Sequence, residues 1–467
     1  MLARSGFSAS SAERLMQLQS RQLSDAARQR VDVLIPQIVA LSSESKDPDA
    51  TLARLLDLLD AVMRRVSYLA FLAEYPEALK RLARLLAASS WAASYLAQHP
   101  ALLDELLDAR EFYQPPSWPD IERDLDERLS GLDAERQLDV LHQVQQEQVF
   151  YLLAMDLQGL LPLEKLSDHL SDLADMVLGR VLKLCWTNAR KKHAPDARFA
   201  IIAYGKLGGR EMGYASDIDM VFLYDDEAAD APERYGALAR KLVWWLTAAT
   251  PAGGLFEIDT RLRPNGNAGL LVTSLDAFEQ YQLGRGSNTA WTWEHQALTR
   301  ARFCAGDASL GARFEAIRAQ VLGMPRDGAA LRAEVAAMRR RVAEGHPNRG
   351  ALFDLKHDPG GMVDVEFAVQ ALVLEHASAF PQLVANVGNI ALLRLAEQLG
   401  LLPPRVGRLA AVAYRRLRRL QHAERLRGAE QAALVEPARV ARERAAVQAL
   451  SHAVFGHGEA QPRAAGL

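Results

Sequence analysis

The stretch that decides the fold is Phe199–Asp226, which reads FAIIAYGKLGGREMGYASDIDMVFLYDD. An apolar run covers Phe199–Ala203 and a second covers Ile218–Tyr224, and both have the composition of buried strands. Between them lies a segment that is interrupted by glycines and carries one lysine and one arginine. We therefore predict a strand, a glycine-rich turn and a second strand at the centre of the chain.

Two carboxylates, Asp217 and Asp219, stand at the start of the second predicted strand. Residues two apart on a strand point to the same face and lie roughly 6–7 Å apart along it. Carboxylate oxygens held in this way are good ligands for hard divalent cations such as Mg²⁺. A solvated strand end is the alternative interpretation of an Asp-x-Asp pair taken alone.

The turn itself contains Gly205, Lys206, Gly208, Gly209 and Arg210. Glycines let a phosphate group approach backbone amides closely, and the two basic side chains add positive charge. The turn is not a Walker A loop, because no Gly-Lys-Ser/Thr closes it, and it is not a G-x-G-x-x-G dinucleotide turn. A strand, a glycine-rich turn and an acidic pair on the next strand are the parts that metal-dependent nucleotidyl transfer requires.

These motifs support a family resemblance. Gly205-Lys206, ten intervening residues and then Asp217-Ile-Asp219 resemble the core motif of the polymerase-β-like nucleotidyltransferase superfamily. The longer string GKLGGREMGYASDIDMVFLYD is similar to glutamine synthetase adenylyltransferase. Three further strings agree with that family, namely IDTRLRPNGNAGLLVTS (Ile258–Ser274), AWTWEHQALTRAR (Ala290–Arg302) and FDLKHDPGGMVDVEF (Phe353–Phe367). The resemblance covers most of the chain and implies an α+β fold, with a nucleotidyltransferase domain flanked by mainly helical regions.

A third carboxylate is expected from Leu255–Leu262, where strict alternation predicts another strand with Glu257, Asp259 and Arg261 on one face. A carboxylate on a neighbouring strand would complete the acidic cluster that two cations need. Asp259 is the preferred candidate because it directly precedes the Thr-Arg-Leu-Arg-Pro string, and Glu257 is the reserve. Arg261 and Arg263 are expected to meet triphosphate oxygens, which a guanidinium matches bidentately. A surface ladder of Glu, Asp and Arg is the alternative.

The resemblance implies transfer of AMP from ATP, with Asp217, Asp219 and Asp259 holding two Mg²⁺ ions. The remaining site residues are expected to bind the nucleotide phosphates, and they are Gly205, Lys206, Gly208, Gly209, Ser216, Arg261 and Arg263. Members of the family adenylylate a tyrosine hydroxyl of glutamine synthetase, under control of the PII signal protein and glutamine. They also remove AMP by phosphorolysis.

The full-length form of the family resembles two such halves in tandem, one for adding AMP and one for removing it. This chain has one glycine-turn and Asp-x-Asp constellation. Its AGLLVTS and AWTWEHQAL strings resemble the C-terminal, adenylylating half, and Met1–Leu107 resembles the linker before that half. A single half, as a fragment or an engineered form, would account for this count, and we expect it to add AMP without removing it. The phosphorolytic reaction, a small-molecule or RNA acceptor, and a non-catalytic regulatory scaffold are the alternatives.

Helical periodicity and composition divide the chain into three expected regions: a helical linker region at 1–112, the nucleotidyltransferase domain with leading helices at 120–320, and a helical bundle at 327–460. In the bundle, Asp364 and Glu366 fall in the first turn of a predicted helix, where the helix dipole favours acidic side chains. A role near the active cleft stays open for both.

Composition narrows the partner and the compartment of the 467-residue chain. Lysine and arginine number 55 and aspartate and glutamate 58, so there is no basic excess that would indicate a nucleic-acid partner. No apolar run reaches the ~18 residues of a membrane span. Two widely separated cysteines, Cys185 and Cys304, fit a reducing compartment. We therefore expect a cytoplasmic protein that does not associate with membranes.

Overall fold

The computed structural model describes residues 7–107, 114–189, 194–249, 254–428 and 433–456. These residues form two compact units. The first contains the described residues up to 166 together with 423–428, and the second contains 167–249, 254–422 and 433–456. The expected boundaries at 112 and 460 lie outside the described residues, and the division into three regions stays a prediction. The described part of the chain has no helix that is both long and apolar enough to cross a membrane.

The first unit is helical. Its α-helices are α1 (Ala9–Gln19), α2 (Asp25–Ser43), α3 (Pro48–Val62), α4 (Val66–Glu74), α5 (Pro76–Ala88), α6 (Ser90–Gln98), α7 (Trp118–Leu129) and α8 (Ala134–Leu157). Several begin at a side-chain cap: Ser24 accepts a hydrogen bond from an amide of α2, and Asp47 does so for α3. The spacing of Leu52, Leu55 and Leu59 by three and four residues predicts one apolar face on α3, and all three are buried.

The second unit combines helices with two sheets. Its helices are α9 (Leu163–Thr187), α10 (Gly205–Gly208), α11 (Ala231–Thr247), α12 (Leu275–Gln282), α13 (Thr292–Leu298), α14 (Ala308–Leu322), α15 (Gly328–Gly345), α16 (Met362–His376), α17 (Asn389–Gln398), α18 (Val406–Leu426) and α19 (Ala441–Phe455). Its strands are β1 (Phe199–Ala203), β2 (Ile218–Tyr224), β3 (Ile258–Asp259), β4 (Val272–Ser274), β5 (Arg302–Gly306), β6 (Phe353–Asp354) and β7 (Leu434–Val435). The predicted α+β class is confirmed.

The main sheet carries the decisive stretch at its centre. β1 and β2 pair antiparallel, from Phe199 opposite Tyr224 to Ala203 opposite Met220. β5 pairs antiparallel with the other edge of β1, while β3 and β4 both pair parallel with β2. β6 and β7 form a separate two-stranded antiparallel sheet. The start of β2 and the whole of β3 therefore lie side by side at one end of the main sheet.

Both faces of the sheet are covered, which explains why β1 and β2 read as continuous apolar runs. On one face Tyr235 of α11 stacks against Phe199 and Tyr224, with ring centroids 5.9 and 5.0 Å apart. On the other face Ile202 and Leu223 join the large apolar cluster that includes residues of α14, α16 and α18. The two central strands are therefore held rigidly, and this packing fixes the positions of the residues at their ends.

Two predicted elements are wrong in extent. The predicted strand Leu255–Leu262 is reduced to Ile258–Asp259, because the Asp259 side chain accepts a hydrogen bond from the Arg261 amide at 2.8 Å and turns the chain. Arg261 is therefore not on a strand face with Asp259. The string Ala290–Arg302 is also expected from its sequence to be helical, but its helix ends at Leu298 and Arg302 begins β5, since pairing with β1 prevails over the local helical pattern.

Candidate active site

The glycine turn forms the single helical turn α10 between β1 and β2. Gly205 has a φ of 55°, and a Cβ atom there would lie 2.0 Å from Asp219 Oδ2. The Tyr204 amide donates to the Asp219 carbonyl at 2.9 Å, so the turn and the acidic strand are also joined by their backbones. Glycine is required at Gly205 both for its conformation and for the closeness of the carboxylate.

Three carboxylates meet at this end of the sheet. Asp217 precedes β2, Asp219 lies within it, and the parallel pairing of β2 with β3 places Asp259 directly opposite Asp219. Burial, followed by repulsion from Asp217 and Asp259, raises the pKa of Asp219 to about 6. A carboxylate whose pKa is raised by two like charges marks a place where positive charge would bind favourably.

The reserve candidate, Glu257, contributes its backbone to this arrangement. Its carbonyl oxygen accepts a hydrogen bond from the Ile218 amide at 2.8 Å, which extends the pairing of β2 with β3, and its side chain is exposed. Asp259 has 15% of its side chain exposed and is aligned with Asp219. The structure thus brings Asp259, and not Glu257, opposite the Asp-x-Asp pair.

Two basic side chains neutralise part of this acidic cluster. Lys206 Nζ lies 3.6 Å from Asp217 Oδ1, and Arg261 Nε donates to both Asp259 oxygens at 2.8 and 3.0 Å. The hydrogen bond from the Arg261 side chain is the largest cause that lowers the pKa of Asp259. Lys206 and Arg261 are therefore paired with carboxylates in this structure. Those ion pairs would have to open before either side chain could bind a nucleotide's phosphates.

Arg263 has a different environment from Arg261. Its Nη1 donates to the Thr260 carbonyl at 2.7 Å and to the Thr260 hydroxyl at 3.0 Å, while its Nε donates to the Gly269 carbonyl at 3.3 Å. These contacts tie together the two ends of the loop after β3. The predicted contact of Arg263 with triphosphate stays a prediction, and its observed contacts are those of a loop brace.

The remaining predicted phosphate ligands are packed against protein atoms. A Cβ at Gly208 would lie 2.0 Å from the Arg300 carbonyl oxygen, and one at Gly209 would lie 2.6 Å from Arg300 Nε. The Gly208 amide donates to the Tyr204 carbonyl at 2.8 Å. Ser216 is buried, and its hydroxyl accepts a hydrogen bond from an amide of the same connection. The space at these residues is thus explained by packing, and their phosphate contacts stay predictions.

The carboxylate set fits Mg²⁺ in chemistry but is not arranged around an ion. Within the described ranges, no group of three or more His, Cys, Asp or Glu side chains is positioned to hold a metal. In this structure Lys206 and Arg261 supply the positive charge that Asp217 and Asp259 face. Asp217, Asp219 and Asp259 would be the residues to hold a cation, because they are hard oxygen donors at the start of β2 and on the aligned strand β3.

Several buried polar residues next to the site were missed by sequence reasoning. Glu211 follows the glycine turn and Arg300 follows α13, and Arg300 Nη2 lies 2.6 Å from Glu211 Oε2. The hydroxyl oxygen of Tyr414 of α18 lies 2.9 Å from Glu211 Oε2 and 3.1 Å from Glu366 Oε1, so its single proton is shared between the two carboxylates. Glu211 and Arg300 lie in strings that carry the resemblance, but charged residues of this kind read as surface residues until the fold buries them.

The pair Asp364 and Glu366 separates into two roles. Asp364 accepts a hydrogen bond from the Gly360 amide at 2.6 Å and pairs with Arg339 at 2.5 Å, in line with a position in the first helical turn. Glu366 instead points to Arg300 Nη1, 3.6 Å away. The open possibility of a place near the cleft therefore applies to Glu366.

Two family models and several curated proteins match this chain. A sequence model of the glutamate-ammonia ligase adenylyltransferase family matches residues 79–317, and one of the PII-uridylyltransferase family matches residues 330–450. The chain is 52% identical over 438 residues to the bifunctional glutamine synthetase adenylyltransferase/adenylyl-removing enzyme of Aromatoleum aromaticum, covering 93% of this chain and 46% of that protein.

Two further relatives carry the same name. The protein of Ralstonia nicotianae is 53% identical over 93% of this chain and 46% of its own length. That of Burkholderia mallei is 54% identical over 87% of this chain and 44% of its own length. The chain thus spans about half the length of the curated relatives it matches. The first family model covers more than half of the chain and includes all three carboxylates, so the chain belongs to the glutamate-ammonia ligase adenylyltransferase family.

Proposed function

We propose that this chain transfers AMP from ATP to a tyrosine hydroxyl of glutamine synthetase. The observation that carries the proposal is the alignment of Asp259 with Asp219, next to Asp217 and opposite the glycine turn. Family membership supports the acceptor, because the relatives named above are glutamine synthetase adenylyltransferases. In the reaction the tyrosine oxygen forms a bond to the α-phosphorus of ATP, and pyrophosphate leaves.

The three carboxylates have the task of gathering positive charge where the phosphates must lie. Bound Mg²⁺ would supply Lewis-acid polarisation of the phosphates and a lower pKa for the attacking hydroxyl. Burial raises the pKa of Asp219 to about 6, which still leaves this carboxylate ionised at neutral pH. The rigid pairing of β2 with β3 keeps these oxygens in register without cost at each turnover.

The two basic residues of the site are proposed to exchange partners when ATP binds. Lys206 and Arg261 face Asp217 and Asp259 in this structure, and bound cations would take over the charge balance of those carboxylates. The positive charge of Lys206 and Arg261 then becomes available to the triphosphate, where charge builds up on the leaving pyrophosphate. Arg261 is suited to this exchange because its side chain is 72% exposed.

We further propose that the chain adds AMP and does not remove it. The name of these relatives combines an adenylyltransferase with an adenylyl-removing enzyme, whereas this chain has one glycine turn that is followed by an Asp-x-Asp pair. Reversal of AMP transfer would consume pyrophosphate, whereas the family's removal reaction consumes phosphate. The AGLLVTS string at 268–274 supports assignment to the adenylylating half.

Regulation by the PII signal protein and glutamine is the finer part of the proposal. It is supported by the match of residues 330–450 to a family that is named after modification of PII. The matched residues belong to the same compact unit as the sheet, apart from a short segment near the end of α18. Titration of PII with and without glutamine, against the rate of AMP transfer, tests this part separately.

Incubation with labelled ATP, Mg²⁺ and glutamine synthetase, followed by peptide mapping of the label, tests the main proposal. We expect a labelled tyrosine. Asp217→Asn should lower the rate of AMP transfer about 10³-fold or more, where each factor of ten corresponds to about 1.36 kcal/mol of activation free energy. The matched control is Asp225→Asn at the far end of β2, where the carboxylate pairs with Arg313. Near-wild-type transfer by the Asp217 variant, with a normal circular dichroism spectrum, would contradict the assignment.

The direction of the reaction needs its own assay. Adenylylated glutamine synthetase is supplied with phosphate and without pyrophosphate, and the formation of ADP is followed. We expect none at a useful rate. Rapid ADP formation that disappears in Asp217→Asn would mean that this single site performs both reactions.

A further inference from the structure

A buried group of charged and hydroxyl side chains lies directly behind the glycine turn. At its centre Arg300 and Glu211, whose side chains are 14% and 10% exposed, form an ion pair of 2.6 Å. Glu366 of α16 lies 3.6 Å from Arg300, and Arg418 of α18 lies 3.6 Å from Glu211. Two carboxylates thus face two guanidinium groups, so the charges of the group are balanced.

Tyr414 connects the two carboxylates. Its hydroxyl lies 2.9 Å from Glu211 Oε2 and 3.1 Å from Glu366 Oε1, and the Asn389 amide donates to the same hydroxyl at 3.1 Å. The tyrosine is 1% exposed. Burial by itself would raise the pKa of Glu211, but the two guanidinium groups offset it and the pKa is lowered. The glutamate is therefore held as a carboxylate, which keeps the group intact at neutral pH.

Arg300 supports the glycine turn through both its backbone and its side chain. Its carbonyl oxygen and its Nε occupy the positions where side chains at Gly208 and Gly209 would begin, at 2.0 and 2.6 Å. At Gly205, Asp219 Oδ2 occupies the same kind of position, at 2.0 Å. The turn is thus in close contact both with Arg300 and with a predicted metal ligand, and neither contact leaves room for a side chain on these glycines.

We infer that Arg300 is a positioning residue for nucleotidyl transfer, held by Glu211, Glu366 and Tyr414 so that the glycine turn stays seated against Asp219. The inference rests on the proposed function, because that function is what gives the turn and Asp219 a shared task. It also connects α16 and α18 to the site, since both helices supply partners of this group.

The chain offers a matched control for this inference. Asp364 lies two residues before Glu366 on α16 and forms a buried ion pair with Arg339, each side chain being 13% exposed. Its other contact is the amide of Gly360, at the start of the same helix. Loss of the Asp364 carboxylate therefore weakens α16 without removing a contact to Arg300 or to the turn.

The experiment compares Tyr414→Phe and Glu366→Gln with Asp364→Asn in AMP transfer to glutamine synthetase. We expect the first two variants to lower kcat about tenfold and to change KM for glutamine synthetase by less than about twofold, because a misplaced site loses rate before it loses binding. Arg300→Lys keeps the charge but loses the planar fork, and we expect about 10²-fold lower kcat. Asp364→Asn should keep kcat within about twofold of the wild type.

Hydrogen exchange over 199–216 supplies a readout that does not depend on activity. Faster exchange of this segment in Glu366→Gln, with the wild-type rate in Asp364→Asn, is the expected result. Equal effects of Glu366→Gln and Asp364→Asn on kcat and exchange, or no effect of Glu366→Gln and Tyr414→Phe, would overturn the inference. If the wild type does not transfer AMP, the proposed function fails, while the exchange comparison still decides whether this group positions the turn. Glu366 is 28% exposed, so its variant tests the idea even if Tyr414→Phe does not fold.

Discussion

The ionised Asp219 side chain is expected to lower the stability of the folded protein. Its carboxylate is buried beside Asp217 and Asp259, and its pKa is raised from 3.8 to about 6. This difference of about 2 units, at 1.36 kcal/mol each, corresponds to about 3 kcal/mol that the ionised group costs the folded state above pH 7. Asp219→Asn should therefore raise the free energy of unfolding by about 3 kcal/mol at pH 8 in the absence of divalent cations.

The pH dependence fixes the sign of this effect. Because the pKa is higher in the folded state, the folded protein binds the proton more tightly, and its stability falls as pH rises from about 4 through 6. The difference in unfolding free energy between Asp219→Asn and the wild type should therefore fall at pH 5 to about half its value at pH 8. Added Mg²⁺ should stabilise the wild type and leave the variant almost unchanged, since ligand binding stabilises only the state that binds it.

Urea unfolding at pH 8 and pH 5, with a chelator and then with Mg²⁺, measures these differences. The unfolding free energy must depend on urea concentration with the same slope in the wild type and in the variant before their midpoints can be compared. Asp364→Asn is a control that should lower the free energy of unfolding, because removing that carboxylate leaves the largely buried Arg339 without its ion-pair partner. The reasoning would be refuted if Asp219→Asn were less stable than the wild type at pH 8. It would also be refuted if the two proteins differed in unfolding free energy by the same amount at pH 8 and pH 5.

The remaining predictions concern other residues of the site. Asp259→Asn should lower AMP transfer about 10³-fold and Glu257→Gln should not, and the reverse result in a steady-state assay would move the third ligand by two residues. Arg261→Ala should raise KM for ATP about tenfold without changing KM for glutamine synthetase, whereas Arg263→Ala should also lower the melting temperature, because it braces the loop after β3. Gly205→Ala should abolish transfer, since its Cβ would overlap a carboxylate oxygen at 2.0 Å, and wild-type turnover would show that the turn can yield.

Sequence reasoning succeeded where the information is local. The continuous apolar runs predicted β1 and β2, whose observed bounds are Phe199–Ala203 and Ile218–Tyr224. It was less successful for β3, since alternation predicted eight residues of strand where two are found. The difference arises from the Asp259 side chain, which bonds to the Arg261 amide and turns the chain. The alternation of apolar and polar residues does not reveal a side chain that competes with backbone pairing for a hydrogen bond.

The choice between Asp259 and Glu257 shows the same limit at the site. Both residues have the right chemistry and lie two apart, so the sequence leaves both possible. The register of β3 on β2 separates them, because it aligns Asp259 with Asp219 and leaves the Glu257 side chain exposed. Register follows from packing between strands that are about 40 residues apart in the chain, which no local pattern encodes.

By itself, then, the sequence determined the family, the α+β class and the glycine turn followed by two carboxylates on one strand face, because these depend on residue type and short spacing. Only the tertiary structure decided which carboxylate stands opposite Asp219, which arginine braces a loop, and that Arg300 is buried behind the turn with Glu211 and Tyr414. A charged side chain reads as a surface residue in any linear pattern. Its burial depends on partners that come from distant helices, and those partners are assembled only when the chain folds.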